Sequence, residues 1–310
     1  MNFNNYLFRA HSIGYIMGGI PKPLTDRQQS MYDDYTARKN GEGRALTPNQ
    51  LAEWGSLNKK KNAKIKLSDS AKKYLEKLVW EELTGRSSTI KTKYFDKGIQ
   101  SEEKSLTLYS NHKESLILKN KERKSNEFFT GEADIAKYKV RDIKSSWTWE
   151  TFPLQSETIP NPMYEWQLDV YMDLWELKRS ELIYTLVDTP FRLIEDELRR
   201  LDWQFNVLDM NGDVREEHIG LVVETISNHI YTSTGLENFC HQSTNIKLEW
   251  FEDFIEIPEE IRVKIFKHNH CEKRNEQLKT MVILAREYMN QILEKLGDSI
   301  IKFNKQKLVS

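Results

Sequence analysis

The sequence predicts a fold that mixes helices and strands, of the α/β (α+β) class, with a mixed central sheet flanked by helices. Apolar residues at helical spacing run through residues 1–90 and through most of 191–310. Between them lie short segments rich in β-branched and aromatic residues, separated by polar turns. Residues 95–190 therefore carry the predicted sheet, and the two helical parts are additions to it.

The composition limits the classes of protein that this chain can belong to. Its 310 residues carry a net charge of −1, with 38% hydrophobic and 30% charged residues. No apolar run approaches the ~20 residues of a membrane-spanning helix, and the N-terminus lacks the layout of a secretory signal. We therefore expect a cytoplasmic protein without a membrane segment. The charge argues against a polycation that coats nucleic acid, but it leaves room for a local basic groove.

Three helices are predicted in residues 1–90, and each begins at a hydroxyl-bearing N-cap residue. These caps are Thr25, Thr47 and either Ser68 or Ser70. Pro48 occupies the first turn of the second helix, and Gly85 ends the third. Between the second and third helices stand Lys59, Lys60, Lys61, Lys64 and Lys66. We interpret this run as a solvated linker, with a patch that contacts phosphates as the alternative.

The part of the chain that carries the predicted sheet begins with a helix over 99–110. Segments 114–120, 127–136 and 140–149 then alternate in polarity, which predicts an antiparallel meander of three strands. Helical spacing follows over 162–177, and Pro190 ends a strand that begins at residue 180.

The last third of the sequence is predicted to be mostly helical. Amphipathic helices cover 188–208 and 213–231, a strand covers 259–270, and a long helix covers 272–296. The Asn-Gly pair at 211–212 predicts a turn, because the glycine and glutamate that a calcium loop requires are missing. No boundary demands a second domain, so we expect residues 1–310 to form a single one.

Charged side chains stand where a strand pair would normally bury hydrophobic residues. Residues two apart in a strand face the same side, so Asp142 and Lys144 project together while Ile143 points into the core. Asp134 lies one strand back, across a short turn. Two close carboxylates repel unless a cation neutralises them, and Mg²⁺ prefers oxygen ligands. The pattern indicates metal-assisted hydrolysis of a phosphodiester, with a surface hairpin that carries an ion pair as the alternative.

Four motifs in order resemble those of the PD-(D/E)XK nuclease superfamily, in its RecB-like and lambda-exonuclease (YqaJ-type) branch of phages. "GEAD" at 131–134 resembles the G-x-x-D motif, and "DIK" at 142–144 resembles the (D/E)-x-K motif. Gln167 and Tyr171, one turn apart on the following helix, resemble the Q-x-x-x-Y motif. Upstream, "KGIQSEEKSLTLY" resembles the R/K-G-x-x-x-E…Y helix, with Glu102 as its glutamate or Glu103 one position later.

The resemblance implies a restriction-endonuclease-like core and metal-dependent cleavage of DNA. The implied ligands of Mg²⁺ or Mn²⁺ are Glu102, Asp134, Asp142 and the backbone carbonyl of Ile143. Lys144 would position or activate the attacking water, and Gln167 would hydrogen-bond near Lys144 or the scissile phosphate. Tyr171 would support the site or contact the DNA backbone.

Four further residues are candidates for contacts with DNA. Arg9 and Ser12 match the opening segment of the family, in which a basic residue and a serine approach a phosphate. Lys137 and Lys139 lie in the turn between the two acidic strands. Beyond Lys144, two tryptophans alternate along the predicted strand, at positions 147 and 149. They could stack on unpaired bases, but packing in the core is favoured for both.

The sequence also departs from the family pattern. Ala133 stands where proline is common, and Cys240 and Cys271 are too few for the four-cysteine iron–sulfur cluster of some RecB-like relatives. A Walker A loop is missing, so unwinding would need a helicase partner. A single-strand annealing protein and a second copy of the chain are further candidate partners.

Two classes of function remain open. The first is an active nuclease in recombination, repair or processing of phage or bacterial DNA, with an exonuclease favoured over an endonuclease. The second is a DNA-binding or scaffolding protein of the same fold that has lost catalysis. The complete set of acidic residues and lysine favours the first.

Overall fold

The computed structural model describes residues 1–87 and 92–297, and the chain divides into two compact units. The first comprises Met1–Ser87 and Glu272–Ser310, and the second comprises Ser88–Cys271. The expectation that the whole chain forms one domain stays a prediction. No helix within the described residues is long and apolar enough to cross a membrane.

The first unit is helical, as predicted. After the short strand β1 (Phe8–Arg9) and a 3-10 helix (Ala10–Gly19), it contains α1 (Asp26–Lys39), α2 (Pro48–Lys61), α3 (Asp69–Thr84) and the long C-terminal helix α10 (Glu272–Leu296). The predicted caps are confirmed, because Thr25, Thr47 and Ser68 each accept a hydrogen bond from a backbone N–H in the first turn.

The core of this unit forms between α3 and α10. Buried residues recur on α3 at helical spacing, at Ala71, Leu75, Val79 and Leu83. They pack against a matching apolar stripe on α10 that includes Leu278, Met281, Val282 and Ala285. The predicted lysine linker is corrected here: Lys59, Lys60 and Lys61 form the last turn of α2, where cations favour the negative end of the helix dipole.

The second unit carries the sheet. Its helices are α4 (Lys93–Gln100), α5 (Glu102–His112), α6 (Pro162–Trp175), α7 (Phe191–Phe205), α8 (Ile219–Ser227) and α9 (Ser233–Gln242). Its strands are β2 (Lys124–Ser125), β3 (Phe129–Gly131), β4 (Ile135–Lys137), β5 (Lys139–Ser145), β6 (Arg179–Thr185) and β7 (Val263–Asn269).

The four-stranded sheet has the order β4-β5-β6-β7 and is mixed, which confirms the predicted class of fold. β4 and β5 form an antiparallel hairpin, α6 connects β5 to the parallel strand β6, and β7 closes the other edge antiparallel to β6. Neighbouring residues of β6 face opposite sides: Leu182 packs on Leu168 of α6, and Ile183 packs on Leu108 of α5. The two helices therefore cover opposite faces of the sheet.

The predicted three-stranded meander is wrong in part. Residues 114–120 form no strand, because Leu116 and Leu118 face solvent, 84% and 73% exposed, rather than a core. The second predicted strand is divided: β3 pairs with β2 in a separate ribbon, and β4 pairs with β5. The predicted helix over 99–110 is likewise two helices, which meet at Ser101.

The rest of the second unit is a helical cluster around its own apolar core. α7, α8 and α9 contribute Ile194, Val222, Ile226, Leu236 and Phe239 to it. The predicted Asn-Gly turn lies between α7 and α8, where Asp209 accepts hydrogen bonds from the backbone N–H groups of Asn211 and Asp213. Gly212 has a φ of 85°, which glycine adopts without strain. The sequence did not predict α9, a short helix that begins after the N-cap Thr232.

Candidate active site

The β4–β5 hairpin brings the two predicted aspartates together. The hairpin turns at Tyr138, whose φ of 61° allows Lys137 and Lys139 to face each other across the strands. Asp134 precedes β4, just where the backbone pairing ends, and its Oδ2 accepts a hydrogen bond of 2.7 Å from the backbone N–H of Ile143. The carboxylate of Asp134 thus takes a donor at the end of the β4–β5 ladder and lies beside the strand that carries Asp142.

Asp142 and Lys144 share the face of β5 that α6 covers. Asp142 is buried, with only 3% of its surface exposed, and the Nζ of Lys144 lies 2.6 Å from its Oδ2. A buried carboxylate with a single ammonium partner, beside a second carboxylate, leaves excess negative charge in a poorly solvated place.

α6 contributes the amide and the phenol of the predicted Q-x-x-x-Y motif. The Nε2 of Gln167 donates to the Oδ1 of Asp142 at 2.9 Å and to the hydroxyl of Tyr171 at 3.0 Å. The Oε1 of Gln167 accepts a hydrogen bond from Lys144 at 3.4 Å. Pro162 in the first turn and the Asn161 side chain at the cap fix the start of this helix, so the two side chains point to β5 from successive turns.

The protonation of the site follows from these distances. Burial, together with the charge of Asp142, raises the pKa of Asp134 to about 7, against the hydrogen bond from Ile143. Burial alone would lower the pKa of Lys144, but the adjacent Asp142 outweighs it and the pKa is raised. Burial and Asp142 also raise the pKa of Tyr171. Lys144 is therefore a protonated donor at neutral pH rather than a base.

Glu102 stands apart from this cluster. It is the first residue of α5, and its Oε1 forms an ion pair of 2.5 Å with Lys119. Its negative charge is one of those that raise the pKa of Asp134, while Glu103 is exposed to solvent. These facts favour Glu102 over Glu103 as the glutamate that faces the aspartates.

The residues present fit a hard divalent cation, although incompletely. The Oδ2 of Asp142 is buried beside the Lys144 ammonium, and a carboxylate oxygen is the ligand type that Mg²⁺ prefers. Within residues 1–87 and 92–297, no three His, Cys, Asp or Glu side chains are grouped closely enough to enclose a metal. A third side-chain ligand would require Glu102 to leave Lys119.

The four predicted DNA-binding residues lie in different surroundings. Lys137 is exposed on the hairpin, with its Nζ 5.4 Å from the centre of the Tyr138 ring. Lys139 is ion-paired with Glu181 on the face of β5 that α5 covers. Arg9 and Ser12 belong to the first unit, where the Ser12 hydroxyl donates to the backbone carbonyl of Arg9 at 3.2 Å.

Two residues of the site were missed from the sequence. The ring of Tyr164 lies 4.8 Å from the Nζ of Lys144, and its position one turn before Gln167 on the same helix face could have indicated it. Lys119, the partner of Glu102, lies within segment 114–120, which was predicted to be a strand, and the sequence carried no signal for its contact with Glu102.

Comparison with solved structures identifies proteins of similar fold. A phage-related exonuclease from Haemophilus somnus 129PT matches over 94% of this chain and 97% of its own, with a TM-score of 0.57 and 18% sequence identity. An alkaline exonuclease from Laribacter hongkongensis matches over 76% of this chain and 87% of its own, with a TM-score of 0.45 and 12% identity. Its complex with dAMP gives a TM-score of 0.43.

No protein-family model matches the sequence, and no curated protein matches it. The similarity to the phage-related exonuclease is one of fold, and it spans nearly the whole of both chains. The fold expected from the motifs is confirmed to this extent: the chain shares the fold of a phage-related exonuclease.

Proposed function

We propose that the protein is a divalent-metal-dependent deoxyribonuclease that acts in recombination, repair or processing of phage or bacterial DNA, as an exonuclease rather than an endonuclease. The observation that carries this proposal is the pair Asp134 and Asp142, placed beside Lys144 on one face of the sheet. The exonuclease fold of the Haemophilus somnus protein supports it. Cytoplasmic location and a helicase, annealing or identical-chain partner belong to the same proposal.

Asp134 and Asp142 would hold Mg²⁺ or Mn²⁺, together with the backbone carbonyl of Ile143 and, once it leaves Lys119, Glu102. When bound, such an ion supplies charge neutralisation and Lewis-acid polarisation of the phosphoryl group. Because its pKa is raised, the carboxyl of Asp134 would have to be deprotonated to hold the cation, and binding would strengthen as the pH rises.

Lys144 would position the attacking water and stabilise charge on the phosphate. Because its pKa is raised, it remains an ammonium and donates hydrogen bonds. Asp142 and Gln167 hold its Nζ from two sides, which fixes its direction before DNA binds. Gln167 also holds the carboxylate of Asp142, while Tyr171 supports the amide. Lys144 would thus be a prearranged hydrogen-bond donor to the water or phosphate, and Asp134 and Asp142 would be the carboxylate ligands of the cation.

Incubation of end-labelled linear duplex and closed circular duplex with Mg²⁺ tests the proposal. An exonuclease shortens the linear DNA and leaves the closed circle intact, whereas an endonuclease opens both. We expect cleavage of the linear DNA alone, complete loss of activity in EDTA, and recovery with Mg²⁺ or Mn²⁺. Undiminished cleavage in EDTA would rule out this site.

The alternative is a catalytically inactive DNA-binding or scaffolding protein of the same fold. The ion pair of Glu102 with Lys119 favours it, because that pair leaves only two carboxylates for a cation. Titration with Mn²⁺ distinguishes the two: an active site takes up the ion with an affinity that Glu102→Gln weakens. An inactive protein binds DNA equally well with and without the ion.

A further inference from the structure

The two tryptophans beyond Lys144 have different environments, although the sequence favoured core packing for both. Trp147 is 8% exposed and makes edge contacts with the rings of Tyr94 and His229, at centroid distances of 5.5 and 4.9 Å. Trp149 is 52% exposed. A single surface tryptophan needs no explanation by itself, so its attachment to the structure decides whether it has a role.

The segment that joins Lys144 to Trp149 is fixed at each step. The hydroxyls of Ser145 and Ser105 lie 2.7 Å apart, and the backbone N–H of Ser146 donates to Thr185 at 3.0 Å. The fully buried Lys97 donates to the carbonyl of Trp147 at 2.8 Å. Thr148 and Thr151 close a short 3-10 turn with hydrogen bonds between them. Trp149 therefore stands at a constant offset from Lys144.

The indole of Trp149 is itself held in place. Its Nε1–H donates to the Oδ1 of Asn228 at 2.7 Å. The backbone carbonyl of Asn228 in turn accepts a hydrogen bond from the hydroxyl of Tyr231, at 2.9 Å. With its only donor satisfied, the indole presents an aromatic surface, and Tyr94, 59% exposed, lies against the neighbouring Trp147.

We propose that Trp149 is a stacking platform for an unpaired base of the DNA strand that runs through the candidate active site. The proposal rests on the nuclease function proposed above and names how that site holds its substrate. Trp149 lies five positions after Lys144, which limits their Cα–Cα distance to at most about 18 Å, a span of a few nucleotides. Aromatic stacking accepts any base and holds it without reading its identity.

The rigid attachment of the Trp149 ring lowers the entropic cost of stacking a base on it. A free surface indole would lose side-chain freedom when a base stacks on it, and this loss would weaken binding. Because Asn228 already fixes the ring, less freedom remains to be lost. The stacked base would fix the register of the strand relative to Lys144, so the same phosphodiester is presented in each cycle.

Binding to single-stranded oligonucleotides tests the proposal in an Asp142→Asn background, which prevents cleavage. A labelled oligo-dT is titrated with this parent protein and with versions that also carry Trp149→Ala or Trp149→Phe. We expect Trp149→Ala to weaken binding roughly tenfold and Trp149→Phe to restore most of the loss. The matched control is Trp203→Ala, which removes a 90% exposed tryptophan from α7 of the same unit and should leave affinity unchanged.

A scan with abasic sites then locates the contact. Removing one base at a time from the oligonucleotide should weaken binding to the parent protein at one or two adjacent positions. The same scan on the Trp149→Ala protein should be flat, since the partner of that base is gone. Thermal unfolding of each variant shows that the fold is intact.

The outcomes separate the two proposals. If the Asp142→Asn parent protein binds no DNA, both the nuclease proposal and the stacking role of Trp149 are refuted. DNA binding that Trp149→Ala reduces no more than Trp203→Ala does, or an abasic scan that keeps its pattern in Trp149→Ala, would overturn the platform alone.

Discussion

β5 presents two charged faces that differ in how their charges are balanced. On the face toward α5, Glu181 of the neighbouring strand forms ion pairs with both Lys139 and Arg141. The hydroxyl of Tyr109 also donates a hydrogen bond to Glu181, at 3.4 Å. On the face toward α6, Asp142 has one ammonium, that of Lys144, and a second carboxylate lies beside it.

The two faces respond oppositely to burial. Burial alone would raise the pKa of Glu181, but the hydrogen bonds from Lys139 and Arg141 outweigh it and the pKa is lowered. On the other face, burial and Asp142 together raise the pKa of Asp134. A carboxylate with two cations completes a structural network, whereas two carboxylates with one cation lack a positive charge. The face toward α6 is therefore the one that a divalent ion would complete.

The largest effect is expected from removing the charged groups of the α6 face. Asp142→Asn and Lys144→Ala should each lower DNA cleavage by roughly 10³-fold or more, because one loses a ligand and the other the donor to the water or phosphate. DNA affinity should change little, as measured by binding in EDTA. Glu181→Gln on the opposite face is the control and should keep turnover within a few-fold at 25 °C. Near-normal turnover in Asp142→Asn or in Lys144→Ala would refute the catalytic role assigned to that residue.

Glu181→Gln should instead reduce stability. A carboxyl with a lowered pKa contributes stability that is present above its ordinary pKa of 4.5 and is lost as the pH falls through the folded value. We expect the free energy of unfolding at pH 7 to fall by about 2–4 kcal/mol, since Lys139 and Arg141 lose their counter-charge. Urea unfolding from pH 7 down to pH 4 measures it. If the difference in unfolding free energy between the wild type and the variant does not narrow as the pH falls, the ion pairs of Glu181 with Lys139 and Arg141 do not stabilise the fold as proposed.

Asp134→Asn should stabilise the metal-free protein. A carboxyl with a raised pKa makes folding less favourable as the pH rises from its ordinary value of 3.8 through about 7, and asparagine has no such term. The expected gain in the free energy of unfolding is about 1–3 kcal/mol at pH 8 in EDTA, and smaller at pH 5. Addition of Mg²⁺ should stabilise the wild type and not the variant. If Asp134→Asn is less stable than the wild type at pH 8 in EDTA, the carboxylates of Asp134 and Asp142 do not repel each other as inferred.

The smallest expected effect separates the two lysines of the hairpin. Lys137 is exposed, whereas Lys139 is paired with Glu181, so only Lys137 is available to a DNA phosphate. Lys137→Ala should weaken DNA binding a few-fold and lower the salt dependence by about one counterion. Lys139→Ala should alter stability rather than the slope of affinity against salt. Equal slopes for the two variants would remove this distinction.

The grouping of side chains on the α6 face was predictable because it depends on short-range geometry. Asp142 and Lys144 are two apart in one strand, the hairpin turn is short, and Gln167 and Tyr171 are one helical turn apart. The pairing of charges on the α5 face was not predictable, because it depends on Arg141 and Glu181 being opposite each other in a parallel register. Local periodicity does not set that register, since α6 separates the two strands in sequence.

Two other features escaped prediction for similar reasons. The pairing of Glu102 with Lys119 joins a helix to an irregular segment, and no local pattern indicates such a contact. The exposure of Trp149 was missed because alternation along β5 was extended past its end. The strand stops at Ser145, and beyond it the chain enters a 3-10 turn in which two-residue alternation no longer applies.

The first unit joins residues 1–87 to α10, which lie far apart in the sequence, and this affects how the protein can be made. Phe3 donates its backbone N–H to the side chain of Asn290, and Arg286 of α10 donates to the carbonyl of Tyr6. A ribosome releases residues in order, so the first 87 residues emerge early and must wait for α10, the last helix described, before their core is closed. Residues 88–271 are all available before then. The sheet and its acidic cluster can therefore fold first, and residues 1–87, although translated before them, are among the last to reach their final state.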